Sequence, residues 1–179
     1  MQSKYRLLSV IALVLLSAVY ITSLFKLSQS TKVPTNSLLE AHFNSLDGKE
    51  IGLNAWKNKV IVLNFWATWC PPCREEMPEL SKMQDQYKNQ NLVIVGLSTD
   101  DLETTKTFIQ TNPVSYPVLA GDMQAMNFAE SLGNNQGVLP YTVIIDQNGH
   151  VVKTFLGRVN QALLEKTVKP LLKNATSLN

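Results

Sequence analysis

At 179 residues the chain has room for one domain with a core of ordinary size and an appendage. Of its 16 Lys and Arg, four (Lys4, Arg6, Lys26 and Lys32) precede Val33, which leaves 12 against all 14 acidic residues, a net of −2 for the remainder. That remainder lacks the basic excess of a nucleic-acid binder, so DNA and RNA are excluded as expected partners.

Residues 7–25 carry no charge. As a helix they would be roughly 28 Å long, close to the hydrocarbon thickness of a bilayer. Lys4 and Arg6 precede them with no acid, the charge pattern of an N-terminus retained in the cytoplasm. A cleavable signal peptide is the rival reading. Its apolar core is usually shorter and ends in a small-x-small site, and Ala-x-Ala is absent here. The expected organisation is therefore a cytoplasmic N-terminus and single-pass anchor over residues 1–25, a polar linker over 26–37 with Pro34, and a folded domain over 38–179 across the membrane.

Within that domain, residues 39–53 hold two apolar patches around Asp47-Gly48, a hairpin turn signal. A short polar connector over 55–59 leads into Val60-Ile61-Val62-Leu63-Asn64-Phe65-Trp66, whose β-branched, apolar character predicts a buried strand. Then come Ala67-Thr68-Trp69-Cys70-Pro71-Pro72-Cys73, which hold both cysteines of the chain. A helix follows to about Tyr87, with Met77, Leu80, Met83 and Tyr87 at helical spacing and Pro78 as an expected kink. Residues 92–97 predict a second buried strand. Asp100 and Asp101 offer caps for a helix to about Gln110, stopped by Asn112-Pro113. Residues 116–119 suit a short strand, and Asp122 a cap for a helix ending near Gly133. Residues 141–145 and 151–156 flank the tight turn Asn148-Gly149. A last helix spans about 161–172, with Leu164, Val168, Leu171 and Leu172 on one face. Alternating strands and helices imply a central sheet covered on both faces, and the closing hairpin makes it mixed.

The cysteine spacing carries the chemistry. A two-residue gap closes too small a loop for a structural staple to constrain the unfolded chain much. A disulfide exchanger needs an attacking thiolate and a second thiol near enough to release the mixed disulfide. Cys-x-x-Cys at a helix start supplies both: unpaired N–H groups and the helix dipole favour a thiolate at the first cysteine. Cys70 is accordingly the expected nucleophile, exposed at the helix start, and Cys73 the more buried resolving thiol. Pro71 and Pro72 sit where first-turn N–H groups have no helical partner, and they stiffen the loop. Arg74 reads as a solvated surface residue. A zinc site would have to recruit both His42 and His150, which otherwise read as surface or edge residues.

The run Phe65-Trp66-Ala67-Thr68-Trp69-Cys70-Pro71-Pro72-Cys73, with Pro78 and Val138-Leu139-Pro140-Tyr141-Thr142-Val143-Ile144-Ile145-Asp146, resembles the thioredoxin superfamily. The N-terminal anchor, the leading hairpin and the extra α-β segment between Asp101 and Leu119 make it most similar to the membrane-tethered TlpA/ResA-like branch. The resemblance covers about residues 38–173. It implies a thioredoxin-like α/β fold with an N-terminal β-hairpin and an α-β insertion. Cys70 and Cys73 correspond to the redox pair, a redox-active disulfide that needs no cofactor or metal. Pro140 matches the family's cis-proline, which faces the disulfide and helps dock the target peptide, with Leu139 at the preceding substrate-facing position. Trp69, Pro71 and Pro72 complete the expected substrate-contacting set, whereas Trp66 reads as core. Glu76 matches an acid that ResA-like proteins place near the cysteines for proton transfer. The competing reading is a helix-surface glutamate like Glu75 and Glu79. One departure is Asn64, where cytosolic thioredoxins carry a buried aspartate; an amide cannot take a thiol's proton.

The expected activity is an extracytoplasmic protein-disulfide reductase on the outer side of a bacterial inner membrane. The resemblance implies disulfide-containing protein substrates, a membrane thiol reductant as electron donor, and a place in cytochrome c maturation. Three alternatives stay open: a thiol oxidase or isomerase on the same parts, a thiol peroxidase, and a copper-binding chaperone. Thioredoxin-fold potentials span roughly −270 to −120 mV, so spacing does not set the electron direction. A peroxidase motif of the form Pro-x-x-x-Thr/Ser-x-x-Cys does not occur. A copper site would call on His42 or His150.

Overall fold

The computed structural model describes residues 38–176, so the expected membrane span over 7–25 and the linker lie outside the described residues. Among the described residues, no helix is long and apolar enough to cross a membrane. Seven strands form one sheet: β1 (His42–Ser45), β2 (Glu50–Gly52), β3 (Val60–Trp66), β4 (Leu92–Ser98), β5 (Val118–Ala120), β6 (Tyr141–Ile145) and β7 (Val151–Leu156). Among the described residues four α-helices accompany them, α1 (Pro71–Tyr87), α2 (Leu102–Thr111), α3 (Asp122–Ser131) and α4 (Gln161–Thr176), with a 3-10 turn over Leu53–Trp56. The element order matches the sequence reading.

The strand order is β2-β1-β5-β4-β3-β6-β7. Strands β3, β4 and β5 run parallel, while β6 is antiparallel to β3 and β7 to β6. The leading hairpin adds antiparallel pairing of its own, because β1 docks on β5 through Asn44–Ala120 and Ser45–Leu119. The α-β insertion thus supplies the strand that receives the hairpin.

All seven residues of β3 are buried, which the chain achieves by covering both faces of the sheet. Val60, Val62 and Trp66 pack with Met77, Leu80, Met83 and Tyr87 of α1 and with Leu164 and Val168 of α4. The alternate residues Ile61, Leu63 and Phe65 pack with Ala125 and Ala129 of α3 and with Leu38 and Leu53. The two-residue period of a strand divides the side chains this way. Each large apolar side chain so buried contributes about 1.5–3 kcal/mol.

Several boundaries differ from expectation. Helix α1 begins at Pro71 with Pro71 and Pro72 in its first turn, as expected, and it continues through Pro78 without interruption. The short strand expected over 116–119 is Val118–Ala120, with Tyr116 and Pro117 leading into it. Helix α4 runs past Pro170 to Thr176. Asp101 caps α2, accepting from the Thr104 N–H at 2.9 Å, whereas Asp100 does not. Asp122 does not cap α3 either: the cap position is Gly121, with no side-chain capping bond, and Asp122 is the first helical residue at φ 46°. Packing explains the glycine. A Cβ at Gly121 would stand 2.7 Å from Phe43 Cδ1 and 2.9 Å from Ala125 Cβ.

Candidate active site

Strand β3 ends at Trp66, and the turn that follows is tied to the loop after β4. The Thr99 N–H donates to the Trp66 carbonyl at 2.9 Å, and the Thr68 N–H donates to Asp100 Oδ2 at 2.6 Å. The Cys70 N–H donates to the Ala67 carbonyl at 3.2 Å and closes the turn. Asp100 therefore braces the approach to the cysteines, a role its place in the sequence does not signal.

Cys70 caps α1, its Sγ accepting from the Cys73 N–H at 3.3 Å, and the two cysteines are joined as a disulfide. The expected exposure of Cys70 is corrected: it is 3% exposed and Cys73 0%. In the disulfide the Cys70 sulfur is turned back over the helix start toward Cys73. Exposed surface beside it belongs to Trp69, 69% accessible, and to Pro71. Pro72 is half-buried. Arg74 is exposed, and its guanidinium lies 5.7 Å from the centroid of the Phe108 ring of α2, a cation–π contact. Trp66 is wholly buried, with its ring 5.5 Å from Phe108.

The Leu139–Pro140 peptide bond is cis. Tyr141, the next residue, pairs with Phe65 on β3, so the register brings Pro140 to the end of β3 from which the chain leaves for the cysteines. Pro140 is buried, and its carbonyl accepts from the Gly157 N–H at 2.9 Å. Leu139 is partly buried and packs against the cluster that contains Cys70 and Cys73.

Glu76 is not a surface glutamate. It is fully buried on the same face of α1 as Cys73, three residues on. Its Oε1 accepts from Asn64 Nδ2 at 2.7 Å and its Oε2 from the Val159 N–H at 2.8 Å. The Asn64 amide also donates to Thr142 Oγ1 at 3.0 Å. Burial pushes the Glu76 carboxyl up to about 7, against the Val159 N–H, the Asn64 amide and the Arg158 charge, which favour the ionised form. Glu75 and Glu79 do lie at the surface, where Arg158 pairs with them at 2.8 and 3.7 Å. Helical phase separates the three: Glu76 shares the stripe of Cys73, Leu80 and Met83, and its neighbours do not. Topology alone brings Val159 and Arg158 to the carboxyl and Thr142 to the Asn64 amide, so the motifs assign none of the three this role.

The two histidines are far from forming one site. His42 is in β1 and His150 is just before β7, toward opposite edges of the sheet, and both are exposed. His150 Nδ1 lies 3.5 Å from Asp146 Oδ2. Among the described residues, no group of three or more His, Cys, Asp and Glu side chains gathers as a metal site.

Comparison with known proteins identifies the family. Residues 29–172 match the family described as Redoxin. The chain is 30% identical over 141 residues to the thiol-disulfide oxidoreductase ResA of Halalkalibacterium halodurans, covering 78% of this chain and 76% of that one. It is 33% identical over 129 residues to ResA of Bacillus anthracis, covering 70% and 71% respectively. Among solved structures, a thiol:disulfide interchange protein of the thioredoxin family from Chlorobium tepidum superposes with a TM-score of 0.64 at 27% identity, over 74% of this chain and 92% of that one. A secreted thiol-disulfide isomerase from Corynebacterium glutamicum gives 0.69 at 25% identity, over 76% and 85%. The chain thus belongs to the Redoxin family, as a TlpA/ResA-like thiol–disulfide oxidoreductase of the thioredoxin superfamily.

Proposed function

We propose that the protein reduces disulfides in target proteins outside the cytoplasm, held at the membrane by residues 7–25, with residues 38–179 as the catalytic domain. The observation that carries the chemistry is the Cys70–Cys73 disulfide at the first turn of α1. In the reduced protein, the Cys70 thiolate attacks one sulfur of a target disulfide, and the other leaves as a thiolate. The Cys73 N–H that reaches Cys70 Sγ in the oxidised form, together with the helix start, stabilises negative charge there. Cys73 then attacks Cys70 Sγ and expels the second target sulfur. Two electrons pass to the target, and the pair is left as the disulfide.

Cys73 must lose its proton in a buried place, and Glu76 on the same helix face is the acceptor we assign. A carboxyl near 7 is matched to that task, since it can hold or yield a proton at neutral pH. Asn64, which cannot accept the proton, instead orients the group that can. Trp69, Pro71, Pro72 and Leu139 form the surface on which the target segment rests, with the buried Pro140 beside Leu139 supporting it. A membrane thiol reductant restores the dithiol, and apocytochrome c is the target class to which the ResA resemblance leads.

The test is capture. Full-length Cys73→Ser protein in native membranes is expected to accumulate targets joined to Cys70, releasable by thiol reductant and missing from the Cys70→Ser, Cys73→Ser double variant. Insulin reduction that survives intact in Cys70→Ser would sink the assignment. Labelling of residues 38–179 by a membrane-impermeant reagent only after permeabilisation would place the domain on the wrong side.

A further inference from the structure

Three buried polar atoms among the described residues have no hydrogen-bond partner: Asn64 Oδ1, Trp66 Nε1 and Tyr116 Oη. They converge. Asn64 and Trp66 are two apart on β3 and share a face of the sheet. Gly96 is the register partner of Asn64 on β4, and a Cβ there would stand 3.0 Å from Tyr116 Cε2 and 3.2 Å from Trp66 Nε1. The indole nitrogen and the phenol ring therefore meet over Gly96, beside Asn64. The absence of a side chain at Gly96 is what admits them.

The orientation of Asn64 completes the arrangement. Its Nδ2 donates to Glu76 and to Thr142, which lies on β6. Strands β6 and β4 flank β3 on opposite sides, so an amide with Nδ2 turned to Thr142 turns Oδ1 toward Gly96. The atoms form a complementary set: the indole only donates, the amide oxygen only accepts, and the phenol does either. Buried polar atoms left unpaired are costly, and a buried water typically makes about three hydrogen bonds to such groups.

We propose that Asn64 Oδ1, Trp66 Nε1 and Tyr116 Oη form a buried water site, and that its water holds the Asn64 amide in the orientation that donates to Glu76. The water accepts from the indole, donates to Asn64 Oδ1 and exchanges a hydrogen bond with the phenol. Trp66 and Tyr116 are then positioning residues that act on Glu76 through Asn64. The water site stands on geometry alone, whereas its bearing on turnover rests on the proton role proposed for Glu76. The other groups that act on Glu76 are the Val159 N–H, Arg158 from the segment before α4, Glu79 on α1 and Tyr116 from the segment before β5; Cys70 and Cys73 are joined as a disulfide in the oxidised protein and carry no thiol. None of these except Tyr116 is altered by the test.

The experiment uses the full-length oxidised protein in detergent micelles, labelled with nitrogen-15 and with carbon-13 at glutamate carboxyls. The Trp66 indole proton, assigned by its loss in Trp66→Phe, is expected to show a water cross-peak whose NOE and rotating-frame signals have opposite signs, as for a bound molecule. In Tyr116→Phe the cross-peak is lost or weakened, and the Glu76 carboxyl titrates higher by about half a pH unit or more as the amide loses its anchor. A Trp66 indole without such a cross-peak in the unsubstituted protein overturns the water site, whether or not the variants fold. A Glu76 titration that stays put in Tyr116→Phe overturns the positioning role. Failure of the proton role itself shows separately, as a Glu76→Gln protein with unchanged turnover at every pH while the water signal persists.

Discussion

The Val159 N–H donates to Glu76 Oε2 at 2.8 Å although the two residues are 83 positions apart. Asn64 supplies the second donor to the same carboxyl from β3. The segment before α4 and the central strand therefore grip the acid from two sides. These donors favour the carboxylate, yet burial outweighs them and leaves the group near 7. Glu76 is thus poised to change charge near neutral pH, and the fold must carry the consequence.

That consequence is a pH-dependent stability. The ordinary value for the group is 4.5 and the folded value about 7, so between them the folded protein keeps a proton that the unfolded chain has released. Stability is greatest below the unfolded value, falls as pH rises through the folded one, and levels off above it, for a total loss of about 3 kcal/mol. Asp47 and Glu165 are shifted the other way, to about 2, and titrate below this window. Denaturant unfolding of the oxidised protein between pH 4.5 and 8 should show the decline, and Glu76→Gln should flatten it. An equally steep decline in the variant would assign the effect elsewhere.

Turnover separates the two cysteine steps. In the proposed mechanism, attack by Cys70 does not require Glu76, whereas release by Cys73 does. Glu76→Gln should therefore lower steady-state insulin reduction by about 100-fold, in the range usual for a lost general base. It should also accumulate the Cys70 mixed disulfide, as a milder form of Cys73→Ser. Stopped-flow mixing with a chromogenic disulfide checks this: the first thiol release stays near its normal rate and the second slows. Slowing of the first release instead would mean that Glu76 acts on Cys70.

Buried amide contacts elsewhere on α1 are structural. Gln84 Oε1 accepts from the Ile94 N–H of β4 at 2.7 Å, inside the core. Gln84→Met fills a similar volume and strands that N–H, which should cost about 1–3 kcal/mol. Chemical denaturation is the readout, and reductase activity at low temperature should be retained. Loss of activity without loss of stability would contradict a purely structural role.

Much of this molecule is readable from local pattern, because local pattern and tertiary need coincide in it. The apolar run of β3, the cysteines at a helix start and the Asn148-Gly149 turn each announce one element, and each occurs as read. Asp101 and Asp122 show the limit. Both have capping chemistry, but only Asp101 caps, because the approach of Phe43 and Ala125 puts Gly121 at the cap of α3. Glu76 lay within reach of the sequence, since it falls on the same helical stripe as Cys73 and Leu80. Its partners did not: Val159 and Thr142 meet the carboxyl and Asn64 only through the order of strands, which no local pattern encodes. The burial of Cys70 has a different origin. A helix start is open, but a sulfur bonded across the first turn points back onto it.

The brace on the cysteine loop can be tested by separating charge from hydrogen bonding. The Thr68 N–H donates to Asp100 Oδ2 at 2.6 Å, while the Asp100 N–H is itself held by Ser98 Oγ at 3.1 Å. Asp100→Ala removes the acceptor and leaves a part-buried N–H unpaired two residues before Cys70. A hydrogen bond to a charged group contributes about 1.5–3 kcal/mol, so stability should fall by about 2 kcal/mol. The turn should also loosen, and alkylation of reduced Cys70 should speed up several-fold, since a residue 3% exposed when oxidised gains access through loop motion. Asp100→Asn keeps an oxygen acceptor and should recover most of both effects. If the asparagine variant behaves like the alanine one, the charge and not the hydrogen bond is what holds the turn.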